Sequence, residues 1–155
     1  MAHIYEGDAT VADARFAIVV SRYNQNITGK LLEGALATLG KHGVADDAIE
    51  VAWVPGAWEI PLIADRFAQT QQFAAVLTLG CVIRGETTHD QHINQQVSAS
   101  LGEISLRTGV PVAFGVLTVN SLEQAIHRSG GNVGNKGEEA ANAALEMASL
   151  LRQLP

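Results

Sequence analysis

Four short apolar runs, each followed by a segment with helical periodicity, constrain this chain more than any other feature. The runs are 16–20 (Phe-Ala-Ile-Val-Val), 49–54, 74–79 and 112–118. After the first, Ile27, Leu31, Ala35 and Leu39 recur at three- and four-residue spacing; after the second come Ile60, Ile63, Ala64 and Phe67; after the third, Ile93, Val97, Leu101 and Ile104. The fourth run leads into Ser121-Leu122-Glu123-Gln124, a serine followed by an acidic first turn that suits a helix start. A break over 129–135 precedes a last helix carrying Ala140, Ala143, Ala144, Met147, Leu151 and Leu154. Strands that are apolar throughout, rather than alternating, are buried on both faces. Four strand–helix alternations therefore predict an α/β fold of three α/β/α layers, with a four-stranded parallel sheet and right-handed crossovers.

Punctuation sets the boundaries. Gly40 or Gly43 closes the first helix, Pro55-Gly56 stops the second strand, and a helix is expected from Trp58 to Gln69 with Pro61 in its first turn. The third strand is expected to stop at Gly80, and Thr87 or Thr88 to cap the helix that ends near Thr108-Gly109. The 155 residues fit one domain, 1–155, with residues 1–13 as an N-terminal arm. A four-stranded sheet has two edges, and proteins cover such edges. The arm is expected to add a strand to a neighbouring subunit, the alternative being an arm folded onto its own sheet.

Sixteen acidic against ten basic residues, formal charge -6, argue against a nucleic-acid surface. One cysteine excludes an internal disulfide, and the start Met-Ala-His-Ile-Tyr-Glu lacks the basic and apolar regions of a signal peptide, so a cytoplasmic location is expected. No apolar run approaches the ~20 residues of a membrane span.

Ligands of parallel α/β sheets bind beyond the carboxyl ends of the strands. The distinctive residues collect there: Tyr23-Asn24, the stretch 55–59, Cys81 to His89, and Asn120. The turn before the third helix presents unpaired backbone N–H groups with the positive helix end behind them, beside Arg84 and the compact Gly85, which makes an anion site. His89 falls in the first helical turn, where a second positive charge is disfavoured and the imidazole can act as a base; the plainer reading is a first-turn histidine facing water. His89 and His92 at i and i+3 also raise a metal, without support from any metal-binding motif. Arg84, Arg128 and Lys136 are candidate cations for a phosphate, although each alone reads equally as a surface charge. Tyr23, Trp58 and Phe114 could sandwich a flat ring, although mid-strand Phe114 reads first as core packing. Glu59 could accept hydrogen bonds from ligand hydroxyls or complement its helix start.

Taken together, Ser21-Arg22-Tyr23-Asn24, the stretch 54–61 (Val-Pro-Gly-Ala-Trp-Glu-Ile-Pro), the stretch 80–89 (Gly-Cys-Val-Ile-Arg-Gly-Glu-Thr-Thr-His), the stretch 114–118 and Gly134-Asn135-Lys136-Gly137 resemble the sequence blocks of the lumazine synthase family. The resemblance runs from about Ile4 to Leu151. It implies a flavodoxin-like topology and the penultimate step of riboflavin synthesis, the condensation of 5-amino-6-ribitylaminouracil with 3,4-dihydroxy-2-butanone 4-phosphate, with no cofactor and no metal.

Carried over residue by residue, the resemblance implies that Tyr23 stacks on the pyrimidine, that Ala57, Trp58 and Glu59 hold the ribityl chain, that Cys81, Val82 and Ile83 line the ring, and that Lys136 belongs to the same subsite. Phe114 would close it from a neighbouring subunit. Gly85, Glu86 and Thr87, with the neighbour's Arg128, would hold the phosphate, and His89 would move protons. The family forms rings of five, some members building shells of sixty, and the short 130–135 turn points to a shell; association with riboflavin synthase is a further implied partner. Two departures stand out: Tyr23 where the family usually has Phe or Trp, and Asp90-Gln91 where it commonly has an aromatic and an acidic residue. A non-catalytic flavin-binding module and a purely structural shell protein are the alternatives.

Overall fold

The computed structural model describes residues 1–11 and 13–155, so one residue of the predicted arm lies outside the described residues. In chain order the elements are β1 (Phe16–Ser21), α1 (Gln25–Lys41), β2 (Ile49–Val54), α2 (Ile60–Gln69), β3 (Ala75–Ile83), α3 (His89–Thr108), β4 (Val112–Val119), α4 (Leu122–His127) and α5 (Lys136–Gln153). All four strands are parallel, in the order β2-β1-β3-β4.

Alternation along β1 divides the core. Phe16, Ile18 and Val20 pack with Leu31, Ala35, Leu145 and Ala148 from α1 and α5, while Ala17 and Val19 pack with Ala64 and Ala68 of α2 and Val97, Leu101 and Ile104 of α3. The predicted three-layer α/β/α architecture is therefore present. Because β1 lies between β2 and β3, the crossovers on either side of it diverge, and a crevice opens at the carboxyl ends of the sheet.

Three features differ from the sequence reading. β3 runs through Gly80 to Ile83. A side chain at residue 80 would meet Ile60 Cδ1 at 3.1 Å and Ser21 Oγ at 3.2 Å, so this glycine serves close packing rather than a turn. Trp58 and Glu59 lie in a 3-10 turn, Ala57–Glu59, and α2 starts only at Ile60, with Pro61 in its first turn as expected. α1 does close at the predicted glycines, where Gly43 adopts φ +90° and donates to the Gly40 carbonyl at 3.0 Å.

The third difference is the inward stripe of α5. Buried positions are Gly137, Ala140, Ala141, Ala144, Leu145, Ala148 and Ser149, whereas Met147, Leu151 and Leu154 remain 41–42 % exposed. Small side chains select this face because α5 approaches α1 closely. A methyl group on Gly137 would overlap the Leu31 carbonyl, and the Asn135 side chain both caps α5, accepting from Gly137 and Glu138 N–H at 2.8 and 3.1 Å, and donates to the Lys30 carbonyl at 3.1 Å. Gly137→Ala sets a helix-propensity gain of up to about 1 kcal/mol against overlap with a backbone that cannot yield. The overlap dominates: a loss of about 1–3 kcal/mol is expected, seen as a melting temperature lowered by roughly 2–12 °C in thermal unfolding.

The arm forms no strand among the described residues. Its inner part is fastened to α5: Asp8 N–H donates to Ser149 Oγ at 3.2 Å, Ser149 Oγ–H donates to Asp8 Oδ1 at 3.1 Å, and Gln153 donates to the Glu6 carbonyl at 2.9 Å. Residues 1–5 are exposed, Ile4 at 84 %.

Candidate active site

β3 outreaches β1. Register pairs β1 with β3 only as far as Val20 and Leu79, while β4 accompanies β3 on to Ile83. Beyond Leu79, β3 therefore has one paired edge and one edge facing the gap past β1. Asn24, in the left-handed conformation at φ 63°, turns the chain into α1 and donates its side-chain amide to the Cys81 carbonyl at 3.0 Å. Since N–H and C=O of one strand residue point to the same side, Ile83 directs both groups into that gap, where they can read the edge of a flat heterocycle.

Around this ledge is a cavity of about 810 Å³, within the size range of small-molecule sites. Its walls come from four places: Tyr23 after β1; residues 56–59 after β2; Cys81, Val82 and Ile83 of β3; and Gly85, Thr87 and His89 leading into α3. Every predicted pyrimidine-side residue except Phe114 and Lys136 lines it, as do Gly85, Thr87 and His89. Pairing between the first two loops, through Arg22 N–H to the Val54 carbonyl at 2.8 Å and Tyr23 N–H to the Pro55 carbonyl at 3.0 Å, holds Tyr23 beside the 56–59 turn. Tyr23 is 74 % and Trp58 55 % exposed, so both stand at the rim of the cavity instead of contributing to the core.

Glu59 reaches back to accept the Gly56 N–H at 3.0 Å, which fixes the turn and engages one carboxylate oxygen. The second oxygen can accept from a ligand hydroxyl. At the helix start, Thr88 occupies the cap position without a side-chain bond, and it is the Thr87 hydroxyl that accepts the His89 N–H, at 3.3 Å.

Five predicted residues lie outside the cavity walls. Arg84 is exposed and donates its backbone N–H to the Val119 carbonyl at 2.8 Å. Glu86 is exposed in the turn. Phe114 stands on β4, an edge strand, and is 41 % exposed, so its core-packing reading is overturned. Arg128 follows α4, its guanidinium donating to the Gln124 carbonyl at 3.4 Å, and its own carbonyl accepts the Lys136 N–H at 2.9 Å. The last two cations thus share one site on the surface, closed by the Ser129–Asn135 bridge. Conversely, Gly56, Asp90, His92 and Ile93 line the cavity without having been assigned to it. Periodicity already placed Ile93 on the inward stripe; Asp90 stood out only as a departure from the family pattern and His92 only as half of an unsupported metal pair. Among the described residues no group of three or more His, Cys, Asp or Glu side chains could hold a metal.

Burial pushes the Cys81 thiol up to about 11. At pH 8 it is protonated and inert, so iodoacetamide should modify the folded protein far more slowly than the unfolded one, as intact mass would record. Folding favours the neutral thiol. Its contribution to stability is complete below the unfolded value of 9.0 and is lost as pH rises through about 11.

Comparison with known proteins bears on the same residues. The family model for 6,7-dimethyl-8-ribityllumazine synthase matches residues 13–152. The chain belongs to this family. A curated relative from Xylella fastidiosa (strain 9a5c), named 6,7-dimethyl-8-ribityllumazine synthase, is 52% identical over 151 residues, which cover 97% of this chain and 98% of the relative. The lumazine synthase match spans all four cavity-lining segments and the outlying Phe114, Arg128 and Lys136 alike.

Proposed function

We propose that this lumazine synthase family member condenses 5-amino-6-ribitylaminouracil with 3,4-dihydroxy-2-butanone 4-phosphate to 6,7-dimethyl-8-ribityllumazine, releasing phosphate and two waters. The observation that carries this reading is the convergence of Tyr23, Glu59, Cys81–Ile83, Thr87 and His89 on one cavity, in a chain the family model matches almost throughout.

The reaction asks for positioning, one acid–base group and an anion cradle. Attack of the 5-amino group on the ketone and loss of water give a Schiff base. Removal of the proton from the adjacent carbon lets phosphate depart with the C–O electron pair, and the resulting enol becomes a ketone. The ribitylamino nitrogen closes on that ketone and expels the second water. His89 takes and returns protons in these steps; the Gly85–Thr87 turn and the start of α3 hold the phosphate; Tyr23 stacks on the pyrimidine while the Ile83 backbone reads its edge.

Phe114, Arg128 and Lys136 complete the cavity of an adjacent subunit in this reading. Support comes from their absence from this chain's own cavity walls, from the exposure of Phe114, and from the uncovered Met147, Leu151 and Ile4. A ring of five, and a sixty-subunit shell of twelve rings, follow from the family resemblance, as does association with riboflavin synthase. A cytoplasmic setting fits the single buried thiol, which calls for no oxidising compartment; no described helix is long and apolar enough to cross a membrane. Mixing the purified protein with both substrates and following lumazine absorbance tests the activity, and a mass measurement in solution tests the assembly.

A further inference from the structure

The loop after β1 is tied to both neighbouring strands. Arg22 and Tyr23 give their N–H groups to the Val54 and Pro55 carbonyls, so the chain leaves β1 on the β2 side. Asn24 crosses back, donating its side-chain amide to the Cys81 carbonyl at 3.0 Å. Val76 and, just past β3, Arg84 give their N–H groups to the Pro111 and Val119 carbonyls on the β4 side, so by alternation Cys81 and Ile83 turn theirs toward the gap past β1. Backbone pairing of β1 with β3 has ended at Val20 and Leu79, and the Asn24 amide supplies the next rung in its place. The amide springs from a fixed base: Asn24 is held at φ 63° and ψ 47°, and its carbonyl accepts the Ile27 and Thr28 N–H groups at 2.9 and 3.0 Å. Asn24 itself is absent from the cavity walls, whereas Tyr23 before it and Cys81 and Ile83 across the gap line them.

We propose that Asn24 is a positioning residue for the pyrimidine substrate: by fastening the Tyr23 loop to β3 it sets the width of the slot between Tyr23 and the Cys81–Ile83 ledge, an inference that rests on the function proposed above. A flat ring is gripped well at one slot width only. Moving one wall away by about 0.5–1 Å forfeits a quarter to a half of the attraction between facing atoms. The bonds of Arg22 and Tyr23 to the β2 side leave that width free, because they hold Tyr23 to the 54–55 segment and not to β3. Asparagine suits the task, since its amide is a donor and its backbone tolerates the left-handed conformation.

Steady-state kinetics of Asn24→Asp, Asn24→Gly, Tyr23→Ala and the Tyr23→Ala/Asn24→Gly double variant test this. Aspartate and glycine both accept the left-handed backbone, and neither a carboxylate nor a bare Cα can donate to the Cys81 carbonyl. Each Asn24 variant should raise KM for 5-amino-6-ribitylaminouracil about three- to tenfold, as loss of one hydrogen bond, with KM for the butanone phosphate unchanged. In the double variant the glycine should add less than about twofold to the KM of Tyr23→Ala, because the wall that Asn24 holds is already gone. Unchanged KM in both Asn24 variants, equal shifts for both substrates, or a full additional rise in the double variant would each overturn the proposal, the last because Asn24 would then act independently of Tyr23. Absence of turnover by the unaltered protein would instead overturn the function on which it rests.

Discussion

His89→Ala should lower kcat by about 10²–10⁴-fold, the usual contribution of a positioned proton-transfer group, while KM for either substrate changes little. His89 lines the cavity at the start of α3, and its residue is tied to the turn through the backbone, by the N–H donated to Thr87 Oγ1. Removing the ring therefore deletes chemistry without unfastening the helix. The residual rate reports what positioning and the phosphate cradle supply alone. A non-catalytic flavin-binding module would show no turnover to lose, and a variant that retained full kcat would remove His89 from the reaction. Melting temperature, measured alongside, should stay within a degree or two of the unaltered protein, because the side chain is exposed.

Arg128→Ala is expected to raise KM for the butanone phosphate by roughly ten- to a hundredfold, as loss of a charge-assisted bond to phosphate, with pyrimidine binding nearly unchanged. Its carbonyl, not its guanidinium, holds Lys136 at the start of α5, so the fold should survive the substitution. The sharper result comes from mixing. In the proposed assembly His89 and Arg128 of one site belong to different subunits. Co-assembly of His89→Ala and Arg128→Ala chains should then recover activity at about a quarter of the sites, those that draw both intact residues from a random neighbour arrangement. No recovery would place both residues in the site of a single chain, contrary to the separation of Arg128 from the cavity.

The order of elements and most of the cavity were legible because buried parallel strands are predominantly apolar, β2 with its Glu50 least so, and because loops after such strands converge by topology. Tyr23, Glu59, Cys81 and His89 meet for that reason alone. Gly80 was misread because a glycine in an apolar run signals either a turn or a close approach, and only the positions of Ile60 and Ser21 distinguish them. The face of α5 was misjudged because Met147 and Leu151 carry more hydrophobicity than alanine, yet Gly137 and the alanines allow the helix to approach α1. Phe114 looked like core because no pattern within β4 says that it is an edge strand.

The step between β1 and β3 has a consequence for folding. Each wall of the cavity arrives on a different crossover, and the ledge exists only where β3 has β4 on one side and no neighbour on the other. No fragment of the chain can therefore carry a weak version of the pocket, since the contacts that build it are long-range ones. A bound ligand would draw its energy from the complete sheet, and so should raise the cooperative unfolding of the whole molecule rather than stiffen a local loop.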